Sequence, residues 1–298
     1  MRNSGKPLII LASLILPALV GWLKSDSQLF SQHLADNVIA NSDSYQNLEK
    51  SVVDSLISNK PGRKIENKSF GVGEKLEYSV NYGFINAGNA VMEIDTIIDI
   101  RGRKCFRITS TARSNKFFST FYRVNDQVLS FIDVQGIYSL WFEKHLREGN
   151  FKSDRWISFH QDKNIAINNK QDTLKVPEFV QDVLSAMYYI RTQPLEVGKS
   201  LLVDNHTDNK NYPLEVKILR KEKIKVGAGK FECFVVEPLL QEGAGVFQHK
   251  GKLTVWLTDD QYRLPVLMKS KIFVGSISAE LERYCVGKIE SQDELSGN

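Results

Sequence analysis

The stretch VPEFVQDVLSAMYYIR, residues Val176 to Arg191, is the one segment of the chain with a clear helical pattern. Pro177 suits the first position of a helix, because its missing N–H would have no partner there in any case. Apolar residues recur at three- and four-residue spacing and form one stripe: Val180, Val183, Leu184, Met187 and Tyr188. We therefore predict an amphipathic helix over about 177–191.

The chain on both sides of this helix has the pattern of β-strands. In residues 75–82, apolar and polar side chains alternate, which is typical of a half-buried strand. About a dozen such segments follow one another, and 117–132 is predicted as one long strand or two. Short turns favour antiparallel neighbours, and a twisted open sheet of this size tends to curl. We predict a mainly β fold: a large curved antiparallel sheet, or open barrel, with one helix in its concavity.

The beginning of the chain has the layout of an export signal. Arg2 and Lys6 precede an uncharged apolar run, residues 8–23, which Lys24 closes. We predict a signal peptide or N-terminal anchor (1–24), a polar linker with a short helix (25–69), one β-rich domain (70–287) and a disordered tail (288–298). The protein would then be periplasmic or associated with the outer membrane, or anchored in the inner membrane if the segment is retained.

Composition excludes some classes of partner and site. The net charge of +4 is small and its charges are interspersed, so no nucleic-acid-binding face is predicted. Membrane contact is predicted only through the N-terminal segment, if that is uncleaved. The three cysteines, Cys105, Cys233 and Cys285, leave at least one thiol free and show no CxxC spacing. Their disulfide state stays open.

Two parts of the sequence resemble each other. The order of residue types around Cys105 returns around Cys233, 128 positions later, and the strings that end at Gly136 and Leu264 have the same separation. Two related halves of the sheet, with the helix between them, would explain this pattern. Chance similarity in a chain rich in hairpins would explain it as well.

The sequence carries no recognisable catalytic, metal or cofactor motif. The five histidines are scattered, although His145 and His160 lie on adjacent predicted strands and could meet. Six acids could in principle pair as they do in glycosidases, but none is placed by spacing: Glu74, Asp95, Asp126, Asp133, Asp259 and Asp260. No catalytic residue, metal ligand or cofactor is predicted, and an enzyme is the less favoured class.

Aromatic and apolar side chains provide the remaining candidates for a site. Most aromatic residues on strands pack in a core, but some could line an apolar cavity between the helix and the sheet. The candidate ligand-lining residues are Val183, Leu184, Met187, Tyr188, Trp141 and Trp256.

Four segments together resemble a family of exported bacterial proteins, the domain-of-unknown-function family 3108. They are GEKLEYSVNYGFINAGNAVMEI (73–94), DVLSAMYYIR (182–191), VGAGKFECFVVEP (226–238) and LTVWLTDDQYRLPVLMKSKIFVGSISAEL (253–281). The resemblance implies a β-rich domain of the periplasm or envelope and no established activity. The strand that ends at Leu264-Pro265-Val266 is also similar to one in periplasmic lipoprotein carriers, which form an open barrel around helices.

Three functions are compatible with these observations. The leading hypothesis is a non-enzymatic envelope protein that binds a lipid or another hydrophobic ligand. The alternative is a structural or assembly partner of another envelope protein. The third is a hydrolase that acts on envelope polymers, which would need acids or a histidine that converge in a cleft.

Overall fold

The computed structural model of the protein describes residues 62–240, 253–271 and 275–289. Within these ranges the chain forms fourteen strands and two helices. The strands are β1 (Lys75–Tyr82), β2 (Ile85–Ile100), β3 (Arg103–Ser114), β4 (Asn125–Asp133), β5 (Ser139–Glu148), β6 (Phe151–His160), β7 (Ile165–Asn168), β8 (Thr173–Lys175), β9 (Ser200–Thr207), β10 (Lys210–Val226), β11 (Gly229–Leu240), β12 (Leu253–Thr258), β13 (Pro265–Lys271) and β14 (Ser276–Cys285). The helices are α1 (Lys116–Ser119) and α2 (Val183–Arg191).

Part of the predicted domain organisation falls outside these ranges. The predicted signal peptide or anchor (1–24), the linker up to residue 61 and the tail from residue 290 lie outside the described residues. In the described part of the chain, no helix is long and apolar enough to cross a bilayer.

All fourteen strands belong to one antiparallel sheet. Its order is β8-β7-β6-β5-β4-β3-β2-β1-β14-β13-β12-β11-β10-β9, so the first and last strands of the domain pair at its middle. The sheet curves around a single large core to which α2 contributes, and it does not close into a continuous ladder between β8 and β9 in the described residues. The predicted mainly β fold, a curved antiparallel sheet with a helix in its concavity, is confirmed.

The sheet consists of two arms of similar layout, β1–β8 and β9–β14. The strands β1 and β9 each have eight residues, and β9 begins 125 positions after β1. The strands β6 and β14 each have ten residues and begin with the same separation. Six strands of the first arm therefore correspond in order and direction to the six strands of the second. The sequence pattern placed the repeat at 128 positions, because it aligned cysteines that lie at different points of β3 and β11.

The helix α2 begins six residues later than the pattern predicts. Asp182 caps it: its side chain accepts from the N–H groups of Leu184 and Ser185, and the Ser185 hydroxyl accepts from the Asp182 N–H. Before the cap, Phe179 adopts a positive φ of 55°, which a helix cannot contain. The prediction of Pro177 as the first helical residue is therefore wrong, while the end at Arg191 agrees.

The segment 117–132 is not one or two strands throughout. Its first part forms α1 and a turn, and β4 begins only at Asn125. The side chain of Asn115 accepts a hydrogen bond from the Phe118 N–H and so caps this short helix. The aromatic residues Phe117, Phe118, Phe121 and Tyr122 suggested a strand by composition, but the local cap determines the structure.

The domain begins before Phe70. Arg63 donates to the carbonyl oxygens of Gly136 and Ile137, at 2.8 and 2.7 Å, and its guanidinium lies over the rings of Phe179 and Tyr189. The last seven residues of the predicted linker therefore pack on the sheet.

Candidate functional site

The stripe of α2 is packed into the main core. Val183, Leu184 and Tyr188 are all buried there, and Met187 is half-buried at its margin. Tyr188 also makes an edge-to-face contact with Phe70, with ring centroids 4.8 Å apart. These four candidate residues come together, as expected for one helix face, and three of them are surrounded by protein.

The two candidate tryptophans lie apart from each other. Trp141 belongs to a second, smaller apolar cluster and stacks on Trp156, with ring centroids 4.8 Å apart. Trp256 is buried in the main core on β12, and its indole N–H donates to Glu222. Of the six predicted residues, Trp141 is the one outside the core that contains α2.

A buried ion pair holds the end of α2. Arg191 donates through Nη1 to Glu74 Oε1 at 2.8 Å and through Nη2 to Oε2 at 2.5 Å, and both side chains are almost completely buried. Its remaining N–H groups donate to the carbonyl oxygens of Ser69 and Tyr262. Because all of these partners are fixed by the fold, we interpret the pair as a structural anchor for α2.

The start of α2 is held in a similar way. Asp182 is buried and accepts hydrogen bonds from the hydroxyls of Ser130 and Ser139, at 2.6 and 2.5 Å. Burial raises the pKa of the Asp182 carboxyl, and these hydrogen bonds partly offset that effect. Gln181 links the same segment to β9 through a parallel bridge with Asn205.

A second buried ion pair joins the two arms. Lys144 on β5 donates to Asp208, in the turn between β9 and β10, at 3.1 Å, and Arg155 on β6 approaches the same oxygen to 3.5 Å. Burial lowers the pKa of Lys144, and Asp208 counteracts this. The ring of His206 packs edge-on against Phe159, so the tip of the second arm rests on the first.

The histidines do not form the pair that the strand pattern allowed. In the β5–β6 register, His145 lies opposite Asp154, whereas His160 is six residues further along its strand, so the two cannot meet. His145 instead contacts Asp154 and Glu143 on the exposed face, at 2.8 and 3.2 Å. Half-buried His160 lies beside Arg101, with a nitrogen–nitrogen distance of 3.3 Å.

The predicted acids also separate. Glu74 pairs with Arg191, Asp133 with Arg103, and Asp95 with Arg107. Asp259 contacts Lys221, and Asp260 accepts from the backbone of its own turn. Asp126 accepts from the Arg147 N–H at 2.7 Å. Among the described residues, no group of three or more histidines, cysteines and acids lies close enough to hold a metal ion.

The cysteines are all unpaired in the structure. Cys105 and Cys233 are buried, and burial raises the pKa of each thiol to about 12, whereas Cys285 is exposed. Buried thiols of this kind are unreactive.

A solvent-accessible candidate site lies where the strands β1 to β6 end in hairpin connections, which we call the loop end. There the β1–β2, β3–β4 and β5–β6 connections lie side by side: the Asn115 N–H donates to the Ala87 carbonyl at 2.9 Å, and the Gly149 N–H donates to the Arg123 carbonyl at 2.7 Å. A solvent-open cavity of about 670 Å³ lies against α1. Its lining consists of Arg113, Ser114, Lys116, Ser119, Thr120, Arg123, Val124 and Asn125.

The loop-end cavity has a positive and polar wall. Arg113, Lys116 and Arg123 are exposed, and the hydroxyls of Ser114 and Ser119 lie 2.8 Å apart. Guanidinium, ammonium and hydroxyl groups together suit the oxygens of a phosphate or carboxylate. The strand predicted over 117–132 left no room for such a site. The available signal was its composition: residues 112–125 contain three basic residues, four aromatic residues and no acid.

Comparison with known proteins agrees with the fold. The family model described as "Protein of unknown function (DUF3108)" matches residues 77–282. No curated protein matches the chain. A β-barrel-like protein of the DUF1849 family from Brucella abortus is similar in structure, with a TM-score of 0.51 and 11% identity, over 74% of this chain and 100% of that one.

Two further solved structures are more distant. A candidate lipoprotein from Parabacteroides distasonis has a TM-score of 0.32 and 8% identity, over 75% of this chain and 99% of its own. A candidate exported protein with a YmcC-like fold from Bacteroides fragilis has a TM-score of 0.29 and 13% identity, over 74% of this chain and 99% of its own.

Proposed function

The chain belongs to the DUF3108 family of proteins of unknown function, and from that premise we propose that it is an exported cell-envelope protein that binds an anionic lipid without chemical conversion. The single observation that carries this proposal is the loop-end cavity, with Arg113, Lys116 and Arg123 in its wall. Its volume of about 670 Å³ is in the usual range of small-molecule sites.

The chemistry of the cavity supports an amphiphilic ligand. The three basic side chains would bind a phosphate or another anionic head group. Phe117 and Phe121 are 63% and 68% exposed on the same connection and provide apolar surface for an acyl chain. A ligand with both properties is a phospholipid or a related envelope lipid.

The stripe of α2 supports ligand binding less well. Val183, Leu184 and Tyr188 are filled in on all sides by the core, and only Met187 keeps part of its surface free. That these residues line a ligand site stays a prediction. The proposal places the head group of the ligand at the loop end instead.

Export is supported by the sequence of residues 1–24, in which basic residues precede an apolar run. With that segment removed, the described domain would act in the periplasm or at the outer membrane. With the segment retained, the domain would act from the inner membrane.

The test is a calorimetric titration of the full-length protein with monomeric dihexanoyl phosphatidylglycerol. The triple variant R113Q/K116Q/R123Q removes the basic wall, and K104Q/K170Q/K230Q removes the same charge from exposed sites elsewhere. If each basic group contributes about 1 kcal/mol, as near an anionic surface, the first variant loses about 100-fold in affinity and the control about none. Inorganic phosphate, titrated separately, tests whether the head group suffices.

Two results would contradict the proposal. One is a folded protein that yields no co-purified lipid by denaturing mass spectrometry and binds no dihexanoyl lipid. The other is equal loss of affinity in both triple variants, which would mean that net charge alone is responsible. Photo-crosslinking in cells that gives one defined protein adduct and no lipid adduct would favour an assembly role.

A further inference from the structure

Four large apolar side chains protrude from the loop end. Phe84 is fully exposed and Ile85 is 56% exposed, both at the β1–β2 connection, and Phe117 and Phe121 lie at the β3–β4 connection. The rings of Phe117 and Phe121 touch edge to face, with centroids 5.5 Å apart. We call these four residues the aromatic tip. Soluble proteins seldom expose clustered apolar groups of this size unless they bind something.

The two halves of the aromatic tip are joined by hydrogen bonds. The Asn115 N–H donates to the Ala87 carbonyl at 2.9 Å, and its side-chain amide donates to the Asn86 carbonyl at 2.7 Å. A side chain at Gly88 would collide with the Arg113 carbonyl, at 2.1 Å, so β2 and β3 approach closely next to the two connections. The four apolar side chains therefore lie on adjacent connections at the same end of the sheet.

The exposed charge of the segments that carry the aromatic tip is positive. Residues 81–89 contain no charged side chain, and residues 112–125 contain Arg113, Lys116 and Arg123 but no acid. Two acids flank these segments, Asp126 on β4 and Glu148 at the end of β5, and both are buried: Asp126 accepts from the Arg147 N–H, and Glu148 accepts from the Tyr122 hydroxyl. The surface is thus apolar at its centre and basic around it.

We propose that the aromatic tip inserts into the interface of an anionic lipid bilayer and that the three basic residues bind its head groups. Aromatic side chains with basic neighbours are the combination that favours the membrane interface. A second copy of the chain is a poor occupant, because a two-fold contact would bring like charges together.

This inference goes beyond the proposed ligand site, because it concerns a bilayer surface and requires no bound lipid molecule. It also differs from the expectation that only the N-terminal segment contacts a membrane. The described domain would have a membrane contact of its own, with the loop end facing the bilayer.

The experiment must separate the aromatic tip from the apolar N-terminal run, which is present in the full chain. In a C285S background, F84C is labelled with the environment-sensitive dye NBD, and V197C, which is exposed beyond the end of α2, serves as the control position. Cys105 and Cys233 are buried and stay unlabelled. Each protein is mixed with vesicles of phosphatidylcholine alone or with 30% phosphatidylglycerol.

Insertion predicts a severalfold rise in emission from the label at position 84 with phosphatidylglycerol vesicles, quenching by lipids brominated in the acyl chain, and no response at position 197. Adding R113Q/K116Q/R123Q raises the lipid concentration needed for a half-maximal response about 100-fold, because each charge contributes about fivefold to membrane affinity. The charge-matched K104Q/K170Q/K230Q leaves it unchanged.

Three outcomes would overturn the inference: no response at position 84 although the protein sediments with vesicles, equal responses at both positions, or equal responses with and without phosphatidylglycerol. The first would mean that the protein binds the vesicles through another segment, such as the apolar N-terminal run. Loss of dihexanoyl lipid binding with insertion intact would remove the proposed ligand site and leave the docking surface standing.

Discussion

Arg191 and Glu74 form a two-pronged ion pair inside the domain, with one residue at the end of α2 and the other directly before β1. The two residues are 117 positions apart in the sequence. The exposed fraction of each side chain is 1% or less. The pair therefore fixes the end of the helix against the strand at the middle of the sheet.

Breaking this pair should destabilise the domain strongly. Glu74→Gln leaves the Arg191 charge buried without its counter-ion, and such changes cost about 3–5 kcal/mol. Urea unfolding at pH 7 measures this loss. The control Glu196→Gln breaks the exposed Glu196–Lys199 pair and should cost less than about 1 kcal/mol. Equal costs for the two variants would show that the buried pair has no anchoring role.

Substitutions along the α2 stripe should differ in their cost to stability, depending on whether the residue lies in the core or at its margin. Leu184→Ala removes a buried side chain and should cost about 2–5 kcal/mol, whereas Met187→Ala removes a half-buried one and should cost clearly less. The two unfolding midpoints give the comparison. A fall in dihexanoyl lipid affinity in Met187→Ala, with stability nearly intact, would instead place the ligand against α2.

The histidines should give the stability of the domain a measurable pH dependence. Burial, followed by the nearby Arg101, lowers the pKa of His160 to about 4. As pH falls below 6.5, the unfolded chain takes up a proton that the folded chain refuses until about pH 4, so stability falls across this window. His160→Gln should reduce the slope of unfolding free energy between pH 7 and 5.

His145 should contribute a pH dependence of stability opposite in sign to that of His160. Burial opposes its charge, but the hydrogen bonds to Asp154 and Glu143 outweigh burial and raise its pKa. Its contribution to stability is therefore present at low pH and is lost as pH rises through the raised value. His145→Gln should make the decline toward pH 5 steeper. Identical slopes in both variants and the parent would contradict these assignments.

Thiol labelling should distinguish the three cysteines. Iodoacetamide at pH 8 should add one group to the folded protein, at Cys285, because Cys105 and Cys233 are buried with a pKa of about 12. In 6 M guanidinium, three groups should be added. Intact-mass spectrometry counts the adducts, and a mass two units low before alkylation would reveal a disulfide that the structure does not contain.

The sheet could be predicted from sequence because its signals are local. The alternation in residues 75–82 lies in consecutive residues, and the segment is β1 in the structure. The start of α2 could not be placed from the apolar stripe, because capping by Asp182 and the positive φ of Phe179 override periodicity. Tertiary packing, through Ser130 and Ser139, then holds that cap.

The surroundings of the candidate site and of the buried ion pairs depend on contacts between distant residues, which sequence patterns do not give. The connections that carry Phe84 and Phe117 reach the same end of the sheet because β2 and β3 pair from Gly88 and Ser114 onward. Lys144 shares the buried face of β5 with Phe142 and Leu146, and the counter-ion for its buried charge is Asp208 in the opposite arm. Four of the six predicted ligand-lining residues lie on the face of α2 that packs in the core, and their role as ligand contacts stays a prediction, because periodicity cannot distinguish a filled core from a cavity wall.

The pairing of β1 with β14 also bears on when the domain can fold. Ser79 pairs with Glu280, which follows it by 201 positions, so the centre of the sheet is completed only after residue 280 has been synthesised. Contacts between residues so far apart in sequence make folding slow. A chain that cannot complete its sheet before β14 is made stays unfolded for longer. An unfolded chain would suit export across a membrane before folding on the other side.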